Sequence, residues 1–191
     1  AYDDVFDCVD DRLSALGLDR IDLLYVHWPF DPYDPETTLA AFDELQSAGK
    51  IRHIGVSNYT IEMVEAAREY ADVFALQVEM HPLFPQREVV EYAQKNGLWA
   101  IAHTPLARGE VTDINEIRHV ADKYGITPAQ ATLAWHLQRD NVAAVPKASG
   151  DHIQENFESL SVELDEEDVR RIDSIDRRER FVDPDIAPWN Q

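Results

Sequence analysis

The runs I-D-L-L-Y-V-H (Ile21–His27), P-E-T-T-L-A-A-F-D-E-L-Q-S-A (Pro35–Ala48) and I-R-H-I-G-V-S (Ile51–Ser57) decide the fold. The first and third are short and rich in aliphatic and β-branched residues, as strands covered on both faces are. Between them Leu39, Phe42 and Leu45 recur at helical spacing, with Pro29 halting the first strand and Gly49 ending the helix. Strand, helix and strand in this succession form a βαβ unit, whose strands run parallel.

The same grammar extends in both directions. Upstream, a helix is expected from about Asp3 to Leu16, with Val5, Val9, Leu13 and Leu16 on one face and Gly17 at its end. Downstream, Thr60 is a good N-cap for a helix through Ala71. The strand F-A-L-Q-V-E-M-H (Phe74–His81) follows, then a helix over Gln86–Lys95 and the strand L-W-A-I-A-H-T (Leu98–Thr104). A helical region starts at Asn115, breaks at Gly125 and resumes after Thr127 and Pro128 as far as Gln138. V-A-A-V-P (Val142–Pro146) is the last strand, and helices over Asp151–Leu160 and Glu166–Ile175 close the pattern.

Five strands each feed a helix, after a first helix with no strand before it. The fold class expected is α/β, a (β/α)8 barrel of which the chain supplies about five strands and their helices. Periodicity alone also allows an open doubly wound sheet, although no G-x-G-x-x-G follows any strand. Residues 1–191 read as one incomplete barrel domain, with 181–191 as an irregular C-terminal tail.

Composition narrows the function. The chain has 191 residues and is 45 % hydrophobic, enough for a real core. No apolar run reaches the length of a membrane span, and no basic-then-apolar leader opens the sequence. The single cysteine, Cys8, excludes an intrachain disulfide and a cysteine metal cluster; its apolar neighbours Val5 and Val9 read as a buried core thiol. Asp and Glu number 37 against 17 Lys and Arg, a formal net charge of -20. Such a chain repels polyanions, which argues against nucleic acid as a partner. Because the acid is spread over nearly every expected helix, it reads as adaptation to a high-salt cytoplasm rather than a docking face for a basic partner.

Polar residues gather where strands end, the place where a (β/α)8 barrel carries its chemistry. The strands deliver His27 before Trp28, then Ser57 and Asn58, then Gln77, Glu79 and His81, then His103 and Thr104, and finally Lys147 and Ser149. Each has an ordinary structural use: a histidine there bonds a neighbouring carbonyl, and Ser57 and Asn58 favour turns. All five strands delivering amides, hydroxyls, imidazoles or an ammonium at one end is what a pocket requires. No metal is expected, because the histidines fall at no ligand spacing and H-E-x-x-H is absent.

In order, I-D-L-L-Y-V-H-W-P (Ile21–Pro29), G-V-S-N (Gly55–Asn58), Q-V-E-M-H-P (Gln77–Pro82), T-P-L-A-R-G (Thr104–Gly109) and V-P-K-A-S (Val145–Ser149), with Glu155 and Asn156, resemble the aldo-keto reductase family from the helix before its fourth barrel strand onward. The resemblance implies reduction of aldehydes or ketones by hydride transfer from NADPH, with NADH as the alternative, on a small-molecule carbonyl substrate. His27 would then polarise the carbonyl. Ser57, Asn58 and Gln77 would hold the nicotinamide carboxamide, and His103 would stand where the family stacks a tyrosine. Leu106, Arg108 and Gly109 would cradle the pyrophosphate. Lys147 and Ser149 would meet the ribose phosphate, with His152 where many members have an arginine, and Glu155 and Asn156 would meet the adenine. Trp28 and Trp189 would line the substrate pocket. The family's proton-donating tyrosine and its lysine and aspartate partners precede the fourth strand, so the chain is expected to be the C-terminal part of such an enzyme, to lack those three residues and to be inactive by itself. The alternative is a non-catalytic cofactor-binding or subunit-interaction protein on the same fold.

Overall fold

The computed structural model describes residues 2–31 and 33–190; Ala1 and Gln191, the ends of the expected domain, lie outside the described residues. Its strands are β1 (Ile21–Val26), β2 (Ile51–Ser57), β3 (Val73–Glu79), β4 (Trp99–His103) and β5 (Val142–Val145). They hydrogen-bond in the order β1-β2-β3-β4-β5. Spatial order follows chain order with no reversal, so the switch point of a doubly wound sheet is absent among the described strands and the succession is that of part of a (β/α)8 barrel. The chain forms two compact units: Ala1–Gln77 with Asn96–Leu98 and Pro184–Gln191, and Val78–Lys95 with Trp99–Asp183.

In the first unit, α1 (Tyr2–Leu16) and α2 (Pro35–Ser47) precede β1 and β2 respectively, and α3 (Ile61–Ala67) follows β2. Asp34 caps α2, its carboxylate accepting the Thr37 N–H at 2.8 Å, and Leu39, Ala41, Phe42 and Leu45 are buried. Parallel register pairs Ile21 with Ile51, Val26 with Val56 and Ser57 with Gln77, which brings the C-terminal strand ends level. Gly55 is required beside Tyr25: a Cβ there would sit 2.3 Å from the tyrosine ring. Thr60 caps α3 through the Met63 N–H at 3.3 Å, but the helix ends at Ala67, four residues short of expectation, and continues as hydrogen-bonded turns.

Two expectations for α1 are corrected. Cys8 is exposed, and so is Leu16, at 63 % of its surface. Only Val9 and Leu13 are buried, so the inward stripe is narrow. One residue turns a helix by about a hundred degrees, which carries Cys8 away from Val9 to the side of exposed Asp4 and Asp11.

In the second unit, β4 and β5 pair in parallel from Ala100–Val142 to His103–Val145. The Met80 N–H reaches the His103 carbonyl at 3.2 Å just beyond the end of β3. Around them lie α4 (Arg87–Lys95), α5 (Asn115–Tyr124), α6 (Pro128–Leu137), α7 (His152–Glu158) and α8 (Glu166–Asp173). Gly125 ends α5 in the left-handed conformation at φ 65°, and Thr127 and Gln130 form a reciprocal capping box on α6. Leu83, Ile117, Val120, Trp135, Leu164 and Ile172 share its core. The indole N–H of Trp135 donates to Asp173 at 3.1 Å, and Arg139 lies 3.7 Å over the ring. Ala107–Asp113, to which the sequence pattern assigns no element, forms a kinked 3-10 segment, and a short 3-10 turn at Pro188–Asn190 interrupts the tail.

Candidate active site

In the first unit the level ends of β1, β2 and β3 bring His27, Ser57, Asn58 and Gln77 together. Ser57 and Asn58 are buried, at 0 % and 3 % exposure. Asn58 adopts φ 63°, a conformation asparagine tolerates better than most residues. Its Nδ2 donates to the His27 carbonyl at 3.0 Å and to Ser57 Oγ at 3.1 Å, while its backbone N–H donates to the Gln77 carbonyl at 2.9 Å. Ser57 Oγ in turn donates to Gln77 Oε1 at 3.4 Å. Asn58 therefore holds the backbone of His27, whose imidazole is exposed. Beside it Trp28 stacks on Phe30 at 4.6 Å and meets Trp189 at 5.9 Å, so an aromatic wall adjoins the histidine.

Tyr25, Tyr33 and Tyr59 of this unit are poorly tuned as proton donors. Burial pushes Tyr25 up to about 12. Burial also raises Tyr33 and Tyr59, whose hydroxyls bond each other. A higher pKa makes a weaker acid.

The second unit carries a cavity of about 650 Å³. The loop after β4 supplies Thr104, Pro105, Leu106, Arg108 and Gly109, and the loop after β5 supplies Lys147, Ala148 and Ser149. His152 and Asn156 close it from α7, and Ala129 from the first turn of α6. Three non-glycine residues of the first loop, Thr104, Ala107 and Arg108, have positive φ (54°, 48° and 55°), and Gly109 follows at 102°. Such a run costs of order 1 kcal/mol or more per residue and concentrates at ligand-binding loops. It is held by Ala107 N–H to the Thr104 carbonyl at 3.0 Å and Gly109 N–H to the Leu106 carbonyl at 2.8 Å. His136 on α6, fully buried, bonds the Pro105 carbonyl through Nε2 at 3.3 Å. Burial drives its pKa down to about 3, so the ring is neutral and Nε2 carries the donated proton.

The electrostatics of this cavity are opposite to those of the chain. In a protein of net charge -20 its walls carry Arg108 and Lys147 and no carboxylate. Both cations are exposed, and neither has an ion-pair partner among the described residues. A Cβ added to Gly109 would meet nothing within 4 Å, so the loop backbone is open to a ligand.

Of the residues expected at the cofactor site, Leu106, Arg108, Gly109, Lys147, Ser149, His152 and Asn156 line this one cavity. Glu155 does not: its carboxylate takes His152 Nδ1 at 2.8 Å and its carbonyl takes Gln130 Nε2 at 2.9 Å. His103 is not in the lining either; its Nδ1 pairs with Thr104 Oγ1 at 3.1 Å. Ala129 escapes sequence reasoning, its one signal being a small residue just inside a proline-started helix. Among the described residues no three His, Cys, Asp or Glu converge as metal ligands, and no helix is long and apolar enough to cross a membrane.

Known proteins resemble this chain over nearly its whole length. The sequence pattern of the aldo/keto reductase family matches residues 1–177. An aldo-keto reductase of Mycolicibacterium smegmatis is 32 % identical over 192 residues, covering 99 % of this chain and 70 % of the relative. The glyoxal reductase of Bacillus subtilis is 34 % identical over 183 residues, covering 94 % of this chain and 65 % of the relative. The crystal structure of a Gox0644 mutant in complex with NADPH superposes with a TM-score of 0.89 at 29 % identity, covering 98 % of this chain and 71 % of that one. The chain spans about two thirds of the length of the curated relatives it matches.

Proposed function

The chain belongs to the aldo/keto reductase family, and on that footing we propose that it serves the NAD(P)H-dependent reduction of aldehydes or ketones to alcohols. One observation carries the reading: a cavity bearing Arg108 and Lys147 and no carboxylate, in a chain where acids outnumber bases by 37 to 17. A patch of positive potential against that background suits a polyphosphate ligand.

When bound, NADPH supplies the hydride. The chain's own residues position it and the substrate. Arg108, Leu106 and Gly109 hold the pyrophosphate through a guanidinium and an open backbone. Lys147 and Ser149 hold the ribose phosphate, which favours NADPH over NADH. His152, already paired with Glu155, assists it less than an arginine fork does. Asn156 meets the adenine, with Glu155 acting on it through His152. Ser57, Asn58 and Gln77 offer the hydroxyl and amides that a carboxamide's donor and acceptor need, fixing the ring face that delivers hydride. His103, its Nδ1 tied to Thr104, offers a ring face for stacking. His27 donates a hydrogen bond to the carbonyl oxygen, where negative charge develops. Trp28 and Trp189 exclude water around it.

The test is NADPH consumption in high salt by the intact protein purified from its native host, with glyoxal, methylglyoxal and an aromatic aldehyde as substrates. The expected result is carbonyl-dependent oxidation of NADPH that Lys147→Met impairs. Tight NADPH binding by that intact protein without turnover of any carbonyl would overturn the reductase reading in favour of a non-catalytic cofactor-binding protein.

A further inference from the structure

α6 (Pro128–Leu137) touches the cavity at one end and the loop that walls it at the other. Ala129, in its first turn, lines the cavity, and His136, in its last, donates its Nε2 proton to the Pro105 carbonyl at 3.3 Å. The helix is buried at every position from 130 to 136, so it offers a fixed point to whatever it holds. His136 itself is 0 % exposed, and its other ring nitrogen, Nδ1, has no hydrogen-bond partner among the described residues. Burying an unpaired polar atom is costly, and burying a charge more so. Burial keeps this ring neutral, with its pKa down at about 3. A neutral imidazole has one proton to donate and a carbonyl can only accept, so that proton is committed to Pro105.

The bond acts on a loop under strain. Thr104, Ala107 and Arg108 hold positive φ on either side of Pro105 and Leu106, a conformation that non-glycine residues keep only where their surroundings fix it. Ala107 N–H to Thr104, Gly109 N–H to Leu106 and Thr112 Oγ1 to the Gly109 carbonyl are all bonds within the loop segment. His136 reaches it from outside, 31 residues along the chain. The bond also fixes a direction. A trans peptide is planar, with its C=O and N–H pointing opposite ways, so a Pro105 carbonyl turned to His136 sends the Leu106 N–H away from it. That N–H has no hydrogen-bond partner among the described residues, and Leu106 lines the cavity. We propose that His136 is a positioning residue for the cofactor, pinning the Pro105 carbonyl so that the Leu106 N–H and the Arg108 side chain meet the pyrophosphate. The inference rests on the reading of this cavity as the cofactor site.

His136→Leu in the full chain tests it through NADPH binding, which needs no turnover. The NADPH Kd is expected to rise about tenfold. His136→Gln, whose Nε2 can reach the same carbonyl, is expected to restore it to within about threefold of wild type. In an Arg108→Met background His136→Leu should add about threefold or less, because a side chain it positions is gone. In a Lys147→Met background it should keep its full effect, because Lys147 stands on the loop after β5. Amide hydrogen exchange without cofactor is expected to speed up about tenfold at Ala107 and Gly109 in His136→Leu and to stay near wild type in His136→Gln. An unchanged Kd, unchanged exchange, a glutamine variant as weak as the leucine one, or equal effects in the Arg108 and Lys147 backgrounds overturns the proposal and leaves the cofactor site in place. A wild-type chain that binds no NADPH removes the site itself, and the inference with it. Should His136→Leu fail to fold, His136→Met, unbranched and without a donor, carries the same expectations.

Discussion

Asn58 binds the carbonyl of His27 through Nδ2 at 3.0 Å from a buried, left-handed backbone position, and the same amide also bonds Ser57. Sequence neighbours at one strand end thus lock the residue at the next. Two effects can be separated here. Asn58→Gly keeps the backbone conformation and gives up the buried hydrogen bonds, for a loss of about 2 kcal/mol. Asn58→Ala adds left-handed strain of roughly 1 kcal/mol more. Urea unfolding of both variants checks the order, and equal losses would mean that strain is negligible at this position.

His136 makes the fold acid-sensitive. Its ordinary pKa of 6.5 falls to about 3 in the folded state, chiefly by burial. Below 6.5 the unfolded chain therefore binds the proton that the folded chain refuses. Its contribution is fully present above pH 6.5 and is lost as pH falls toward 3, at up to about 1.4 kcal/mol per pH unit. His136→Leu should be less stable at neutral pH, because it lacks the Pro105 bond, and show a flatter stability curve over that window. A parallel displacement of the two curves would mean that other groups carry the acid sensitivity.

Lys123 reaches Asp165 at 2.6 Å and Asp168 at 2.5 Å, and Asp168 is 2 % exposed. Removing the lysine leaves a buried carboxylate with only the long Arg171 pair at 4.0 Å rather than deleting a surface pair. Lys123→Met should lower the thermal midpoint clearly, and Asp168→Asn should restore much of the loss in the double variant. Additive losses in the double-mutant cycle would show that the pair is not coupled.

A net charge of -20 in 191 residues places self-repulsion across the surface. The Debye length falls from about 10 Å at 0.1 M salt to about 3 Å at 1 M. Thermal melts in KCl should therefore shift upward between those concentrations and level off beyond. A midpoint independent of salt would sink the high-salt reading of the composition.

The strands and caps are legible in the sequence because their causes are local. Ile51–Ser57 forms its strand over the residues the pattern marks, Thr60 and Thr127 cap as their types favour, and Gly125 stops α5 where the helical period breaks. Legibility fails where the cause is not local. Helical phase points Leu16 inward and apolar neighbours suggest a buried Cys8, but the buried stripe of α1 is only Val9 and Leu13. The Thr104–Gly109 loop owes its shape to non-glycine residues at positive φ, which no propensity announces. Glu79 reads as one more polar strand end because its partners are backbone amides 102 and 103 residues away, and a backbone N–H has no signature in sequence.

The most direct test of the central claim is calorimetric titration of NADPH into the full chain, beside the variant carrying Lys147→Met and Arg108→Met. Saturable one-to-one binding is predicted for the wild type. Removing two charge-assisted phosphate hydrogen bonds together should weaken it by about a hundredfold or more. NADH should be affected less, because Lys147 serves the phosphate that NADH lacks. No saturable binding, or equal Kd values for the two proteins, would contradict the assignment of this cavity to the cofactor.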